Sequence, residues 1–270
     1  MALLAALVTA TILPGFTPFA TGPHGGTVLS GTFPDAERPG YVYLPPGYSR
    51  AHSYPVVYLL HGMPGSPSEY LDGTNLAPFA DDAISSGRLR PFIAVVPAAG
   101  PDRGYNGEWA GPWEREVVEG VVPFVDAHLA TIATPAGRVL AGLSAGGFGA
   151  VYIALRNPGL FGAVESWSGY FHPLHDGPFK HDTNAQLHAN DPRVLVQADR
   201  SALRQDGTRF FLSSGPYHSH WFKPAETRAF AATLRRLGLP VQTLFTASLK
   251  GEWRTQFDAG LTWWMEAMTK

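Results

Sequence analysis

Strands and helices alternate along most of this 270-residue chain, which predicts an α/β fold with a mostly parallel central sheet and helices on both faces. Two observations carry that expectation. Val56–Leu60, Phe92–Val96 and Arg138–Leu143 read as strands buried on both faces, the pattern of a parallel sheet. Stretches of helical spacing separate the strands, among them Leu76–Ser86, Glu114–Leu129 and Gly146–Arg156.

In chain order, Thr27–Phe33 and Tyr41–Leu44 read as short strands separated by Pro34, Pro39 and Gly40. The Val56–Leu60 strand follows Pro55 and ends at His61-Gly62. Gly87 terminates the helix over Leu76–Ser86. In Glu114–Leu129, Val117, Val118, Val121, Val122 and Val125 keep helical spacing, but Pro123 interrupts it. After Arg138–Leu143 and the Gly146–Arg156 helix comes a strand at Phe161–Ser166. His172 to Gln205 is polar and irregular, and reads as an insertion over the sheet. Arg209–Ser213, a helix at Ala225–Leu237, Val241–Phe245 and a closing helix at Thr255–Met268 complete the pattern. No linker interrupts the chain after residue 26, so residues 27–270 read as one domain and residues 1–26 as a separate apolar segment.

That segment leaves three readings open. Ala2 to Leu13 is apolar, yet shorter than the roughly 20 residues needed to span a bilayer, and no basic residue precedes Ala2. It reads as a weak signal peptide, as the tail of a longer membrane segment, or as an ordinary buried stretch. The first two put the domain outside the cytoplasm, and the second implies membrane association. Composition narrows the rest. A net charge of −2 with no basic block argues against a nucleic-acid partner. Absence of cysteine excludes disulfides, thiolate metal sites and cysteine nucleophiles. His172, His175, His181, Asp176 and Asp182 match no standard ligand spacing, so no metal is expected. The bias to arginine over lysine fits a GC-rich bacterial genome.

The chemistry concentrates in two glycine-rich turns. Gly142-Leu143-Ser144-Ala145-Gly146-Gly147 follows a buried strand and opens a helix, the context a G-x-S-x-G nucleophile elbow requires. Such a turn lifts the serine hydroxyl to the carboxyl edge of the sheet, and the helix N-terminus behind it favours developing negative charge. The bland alternative is a turn that only packs helix on strand. His61-Gly62-Met63-Pro64-Gly65 follows the Val56–Leu60 strand. The N–H of Met63, with that of Ala145, is expected to form an oxyanion hole. His61 itself reads as structural. Tyr105, Trp109, Trp113, Trp167 and Tyr170 follow strand ends and are expected either to line a substrate pocket or simply to pack.

Tyr41-Val42-Tyr43-Leu44-Pro45-Pro46-Gly47-Tyr48, Tyr54 to Gly62 and Gly142 to Gly147 together resemble the esterase D group of the α/β-hydrolase superfamily. Feruloyl esterases, enterochelin-type esterases and the mycolyltransferase antigens belong to that group. The resemblance spans roughly residues 27 to 268. It implies the α/β-hydrolase fold, and hydrolysis or transfer of an acyl group from a small-molecule or lipid ester through Ser144, without a cofactor. The chain departs from the group where an acid and a histidine belong. Ser213 to Trp221 contains no carboxylate, and Ser248 to Arg254 contains no histidine, with Gly251 or Glu252 at the position of the family histidine. One reading exchanges the roles, with His218 or His220 as base and Glu252 orienting it. A second has the triad lost and the domain binding without turnover. A third draws His172 or His175 with Glu226. His218 and His220 are also compatible with plain surface positions.

Overall fold

The computed structural model describes residues 13–216, 224–247 and 252–268. Nine strands form one sheet: β1 (Phe16–Thr21), β2 (Thr27–Gly31), β3 (Gly40–Leu44), β4 (Val56–Leu60), β5 (Ile93–Val96), β6 (Arg138–Leu143), β7 (Ala163–Trp167), β8 (Arg209–Ser214) and β9 (Val241–Phe245). Their spatial order is β1-β2-β3-β5-β4-β6-β7-β8-β9. β1, β2 and β3 pair antiparallel at one edge, and the run from β5 to β9 is parallel. This is the α/β-hydrolase architecture the sequence predicts. No helix among the described residues is long and apolar enough to cross a membrane.

Strand alternation divides the core into two layers. On β4, Val56, Tyr58 and Leu60 face one layer, and Val57 and Leu59 the other. Two helices, α1 (Ser68–Asp72) and α2 (Leu76–Ser85), follow β4. The next helical stretch is split: α3 (Pro112–Arg115), a π-helical turn (Glu116–Val121) and α4 (Val122–His128). Pro123 explains the split. It has no N–H for the carbonyl four residues back, and its ring would collide with that carbonyl. The wider turn relieves both problems, as the Val122 N–H donates to the Val117 carbonyl. Helix α5 (Ala145–Arg156) follows β6, and eleven of its residues are buried.

Two expectations differ from what is observed. Residues 1–26 are expected as a segment separate from the domain, but Phe16–Thr21 is the edge strand β1, paired with β2 from Phe16↔Gly31 to Thr21↔Thr27. The reason lies in Leu13 and Phe16, which are buried in the core. The Phe16 ring packs 4.9 Å from Phe33 and 6.2 Å from Phe124. Residues 1–12, the bulk of the apolar run, lie outside the described residues. The insertion between β7 and β8 is not irregular either. It folds into α6 (Asn184–Ala189), α7 (Pro192–Ala198) and α8 (Arg200–Gln205). A capping box of Thr183 with Gln186 starts α6, and Asp191 followed by Pro192 starts α7. The polarity of this stretch comes from helices that bury little beyond Val196 and Leu203. α9 (Pro224–Arg236) and α10 (Glu252–Ala267) complete the layers.

The sheet carries one costly group. Glu165, in the middle of β7, is fully buried. Its Oε2 accepts from the Trp167 indole N–H at 3.0 Å, and its Oε1 has no partner among the described residues. Gly260 of α10 leaves room for it, since a Cβ there would lie 1.9 Å from Oε2. Burial pushes its pKa from the ordinary 4.5 up to about 8. The folded state therefore keeps a proton that the unfolded chain releases near pH 4.5, so this residue lowers stability as pH rises from there towards 8. Glu165→Gln should gain stability relative to wild type by an amount that grows across that window, at most roughly 1.4 kcal/mol per pH unit. Urea denaturation between pH 5 and 8 measures the difference; a gap that stays constant with pH contradicts the assignment.

Candidate active site

The strand order reverses at β4, which has β5 on one side and β6 on the other. In open α/β sheets the crevice at such a switch point, outside the carboxyl ends of the strands, is where ligands bind. The two glycine-rich turns meet there. Leu60 pairs with Gly142, so the His61 loop leaves β4 beside the turn that leaves β6. Contact between them is too close for side chains. A Cβ on Gly146 would lie 2.0 Å from the Leu60 carbonyl oxygen, and one on Gly142 would lie 2.1 Å from that of Gly146.

Ser144 has φ 55° and ψ −118°. A non-glycine residue at positive φ stores of order 1–3 kcal/mol of strain and persists only where its surroundings impose it. The constraints are visible. The Ser144 N–H donates to the Trp167 carbonyl at 3.0 Å, and its own carbonyl accepts from Gly147 at 2.8 Å and Phe148 at 3.1 Å. The residue is the N-cap of α5, with the positive end of that helix behind it. Among the described residues, the Ser144 hydroxyl forms no hydrogen bond. It opens into a cavity of about 270 Å³, which Met63, Pro64, Ala145, Tyr170 and Asp176 also line.

A buried network holds the His61 loop. The imidazole Nε2 accepts from the Ala99 N–H at 3.1 Å, which leaves Nδ1 protonated and donating to the Gly62 carbonyl at 2.7 Å. Burial lowers the His61 pKa to about 4, so the ring is neutral at physiological pH and serves as structure. The Trp109 indole N–H donates to the His61 carbonyl at 2.9 Å, and the two rings meet edge to face. Glu69 accepts from the N–H groups of Gly62 and Ser66, each at 3.3 Å.

Of the five aromatics expected near the mouth, Tyr170 lines the cavity. Its hydroxyl donates to Glu108, 2.8 Å from each carboxyl oxygen. Trp109 and Trp167 are core residues instead, each 1% exposed. Trp109 is tied to the His61 backbone, and Trp167 packs against Phe257 in the opposite layer. Tyr105 and Trp113 pair with each other, the Trp113 indole N–H donating to the Tyr105 hydroxyl at 3.1 Å, and neither lines the cavity.

His218 and His220 lie outside the described residues, as does the side chain of Glu252. The other pairing the sequence allows is present in part. The His172 Nδ1 lies 2.6 Å from Glu226 Oε1, which also accepts from the Phe171 N–H at 2.9 Å. Burial works against the Glu226 carboxylate, but the hydrogen bonds from His172 and Phe171, helped by Arg193, outweigh it and hold the pKa below the ordinary value. His175 is exposed and not part of this pair. No group of histidines and carboxylates among the described residues is arranged to hold a metal ion.

Sequence reasoning missed one element of this edge. Gln256 of α10 is fully buried. It accepts from the Ser213 hydroxyl at 2.6 Å and donates to the Ser168 hydroxyl at 3.0 Å, and that hydroxyl also accepts from the Gly215 N–H at 3.3 Å. The network joins the ends of β7 and β8 to the start of α10. A single glutamine in an amphipathic helix carries no local signal of such a role.

The strand order and the elbow define an α/β-hydrolase fold with Ser144 at the switch point. Residues 31–265 match the Esterase family, and the chain belongs to that family. The esterase Rv1288 of Mycobacterium tuberculosis is 29% identical over 230 residues, which cover 74% of this chain and 49% of that protein. An endo-1,4-beta-xylanase/feruloyl esterase of Xylanibacter ruminicola is 33% identical over 131 residues, covering 45% of this chain and 18% of that protein. The chain thus spans about half, or less, of the length of these curated relatives. Among solved structures, a ferulic acid esterase superposes with a TM-score of 0.75 at 23% identity, covering 89% of this chain and 98% of that one. S-formylglutathione hydrolase (FrmB) of Staphylococcus aureus gives 0.68 at 18% identity, over 89% and 98%.

The close approach at the elbow yields a direct test. In Gly146→Ala the added methyl meets backbone atoms of Leu60 and His61, which cannot rotate away as a side chain would. The loss should exceed the roughly 1–3 kcal/mol usual for overpacking, read as a lower urea midpoint. A midpoint unchanged from wild type would show that β4 and β6 can separate here.

Proposed function

We propose that this chain is a serine-dependent carboxylic-ester hydrolase or acyltransferase, with Ser144 as nucleophile and the N–H groups of Met63 and Ala145 as its oxyanion hole. The observation that carries this reading is Ser144 itself: a strained N-cap residue opening into a cavity that Met63 and Ala145 also line. In the proposed reaction Ser144 Oγ attacks the ester carbonyl while a base takes the hydroxyl proton. The carbonyl oxygen becomes an oxyanion held by the two N–H groups. Collapse of the tetrahedral intermediate breaks the ester bond, and the leaving alkoxide takes up the proton. Water, or an alcohol in the transfer reaction, then attacks the acyl-enzyme. No cofactor takes part.

The base is a histidine, since an isolated serine hydroxyl is a poor nucleophile at neutral pH. The first assignment is His220, or His218 beside it, oriented by Glu252, because the loops after β8 and β9 leave the same sheet edge as Ser144. A second assignment has a specific observation in its favour: His172 is already hydrogen-bonded to Glu226, the relation an orienting acid has to a catalytic base. The relatives named as feruloyl esterases make an aryl ester a reasonable first substrate.

Steady-state hydrolysis of 4-nitrophenyl acetate, 4-nitrophenyl butyrate and methyl ferulate decides between these assignments. Ser144→Ala should lower kcat by roughly 10⁴-fold or more. Among His218→Ala, His220→Ala and His172→Ala, one should match that loss and the others should stay near wild type. Wild-type protein that turns over none of these esters, nor any acyl transfer to added alcohol, would overturn the proposal.

A further inference from the structure

The cavity beside Ser144 has a carboxylate in its wall that the reaction above does not use. Asp176 lines the cavity together with Ser144, Tyr170 and Leu174. Its Oδ1 is shielded from solvent and has no hydrogen-bond partner among the described residues. The side chain does not cap the short helical turn it precedes. Nor do the ion pairs among the described residues include it. A half-buried carboxylate left in this state is costly unless something supplies it with a donor.

Its surroundings explain why the protein does not supply one. Glu108, whose carboxyl feels the charge of Asp176, is fully buried and held by the Tyr170 hydroxyl at 2.8 Å to each oxygen. The Tyr170 hydroxyl, whose residue also lines the cavity, is committed to Glu108. Burial, together with the charge of Asp176, pushes the Glu108 pKa well above its ordinary value. Burial raises Asp176 as well. The cavity that Asp176 lines is compact, about 270 Å³, a size suited to a short acyl group rather than a long lipid chain.

Resting on the esterase reading, we propose that Asp176 is a specificity-determining residue of this site: it receives a hydrogen-bond donor, a hydroxyl or an ammonium, carried by the acyl part of the ester. Plain acyl chains leave the carboxylate unpaired and are disfavoured. A site built to hydrogen-bond a substrate group rejects analogues lacking it far more strongly than an apolar pocket rejects an extra methylene.

Selectivity among matched esters tests this. The panel is 4-nitrophenyl esters of four- to six-carbon acids, each plain, ω-hydroxy or ω-amino. Wild type should favour one donor-bearing series over the plain series by about 10-fold or more in kcat/KM. In Asp176→Leu that ratio should fall towards one. Asp176→Asn should keep a preference for the hydroxyl but lose one for the ammonium, which identifies the donor. A purely structural role for Asp176 would lower all series together and leave the ratio unchanged. A wild-type ratio near one, or a ratio that Asp176→Leu does not alter, overturns the proposal. Calorimetric titration with the corresponding free acids separates this from failure of the esterase reading. If no ester is hydrolysed, tighter binding of the donor-bearing acid that Asp176→Leu abolishes still supports the subsite, and equal binding of plain and donor-bearing acids overturns it.

Discussion

Gly146 on helix α5 lies so near the end of β4 that a methyl group there would sit 2.0 Å from the Leu60 carbonyl oxygen. That contact between the backbones of two turns organises the catalytic edge. It draws the first turn of α5 against the strand that launches the His61 loop, and Met63, Ala145 and Ser144 line the same cavity. Ser144, which leads from β6 into α5 beside this contact, takes a positive φ. Strain of this kind is stable only when many weaker interactions agree on it. Here they include the bond from the Ser144 N–H to Trp167 on β7 and the neutral His61 ring bridging its own loop to Ala99.

The buried polar groups divide by what they serve. His61, Trp109 and Glu69 fix the loop after β4, and all three act on backbone atoms. Gln256 performs the same task for the ends of β7 and β8. Glu165 serves no comparable purpose in the described structure. Its half-satisfied carboxyl in the middle of a parallel sheet only costs stability as pH rises. Asp176 differs from both sets because it lines a cavity, where, on the proposed reading, a missing partner can arrive with the substrate.

The fold was legible because its determinants are local. Buried strands show as apolar runs, the elbow shows as closely spaced glycines around a serine, and both meet the geometry expected of them. Pro123 was visible as an interruption, but its resolution as a π-helical turn depends on the carbonyl four residues back. The β1 strand was hidden because only Phe16 and Leu13 bury; the rest of β1 faces outward and carries no apolar pattern. Side-chain placement at the site was much less legible. Trp109 lies in the loop after β5 and Trp167 ends β7, as Tyr170 lies just after β7, yet their indoles turn into the core to satisfy His61 and Glu165. The pairing of His172 with Glu226 joins residues 54 apart in sequence, and no spacing rule selects it over the alternatives. His218, His220 and the Glu252 side chain fall outside the described residues.

The central claim is that the backbone geometry at Ser144 accompanies a reactive hydroxyl. Treatment with a fluorophosphonate probe, followed by digestion and mass spectrometry of the peptide spanning the elbow, tests it most directly. The account predicts one stoichiometric phosphonyl adduct on Ser144, lost when the protein is unfolded before treatment. An unmodified Ser144 in the folded protein, or label spread over other serines at a comparable rate, would contradict it.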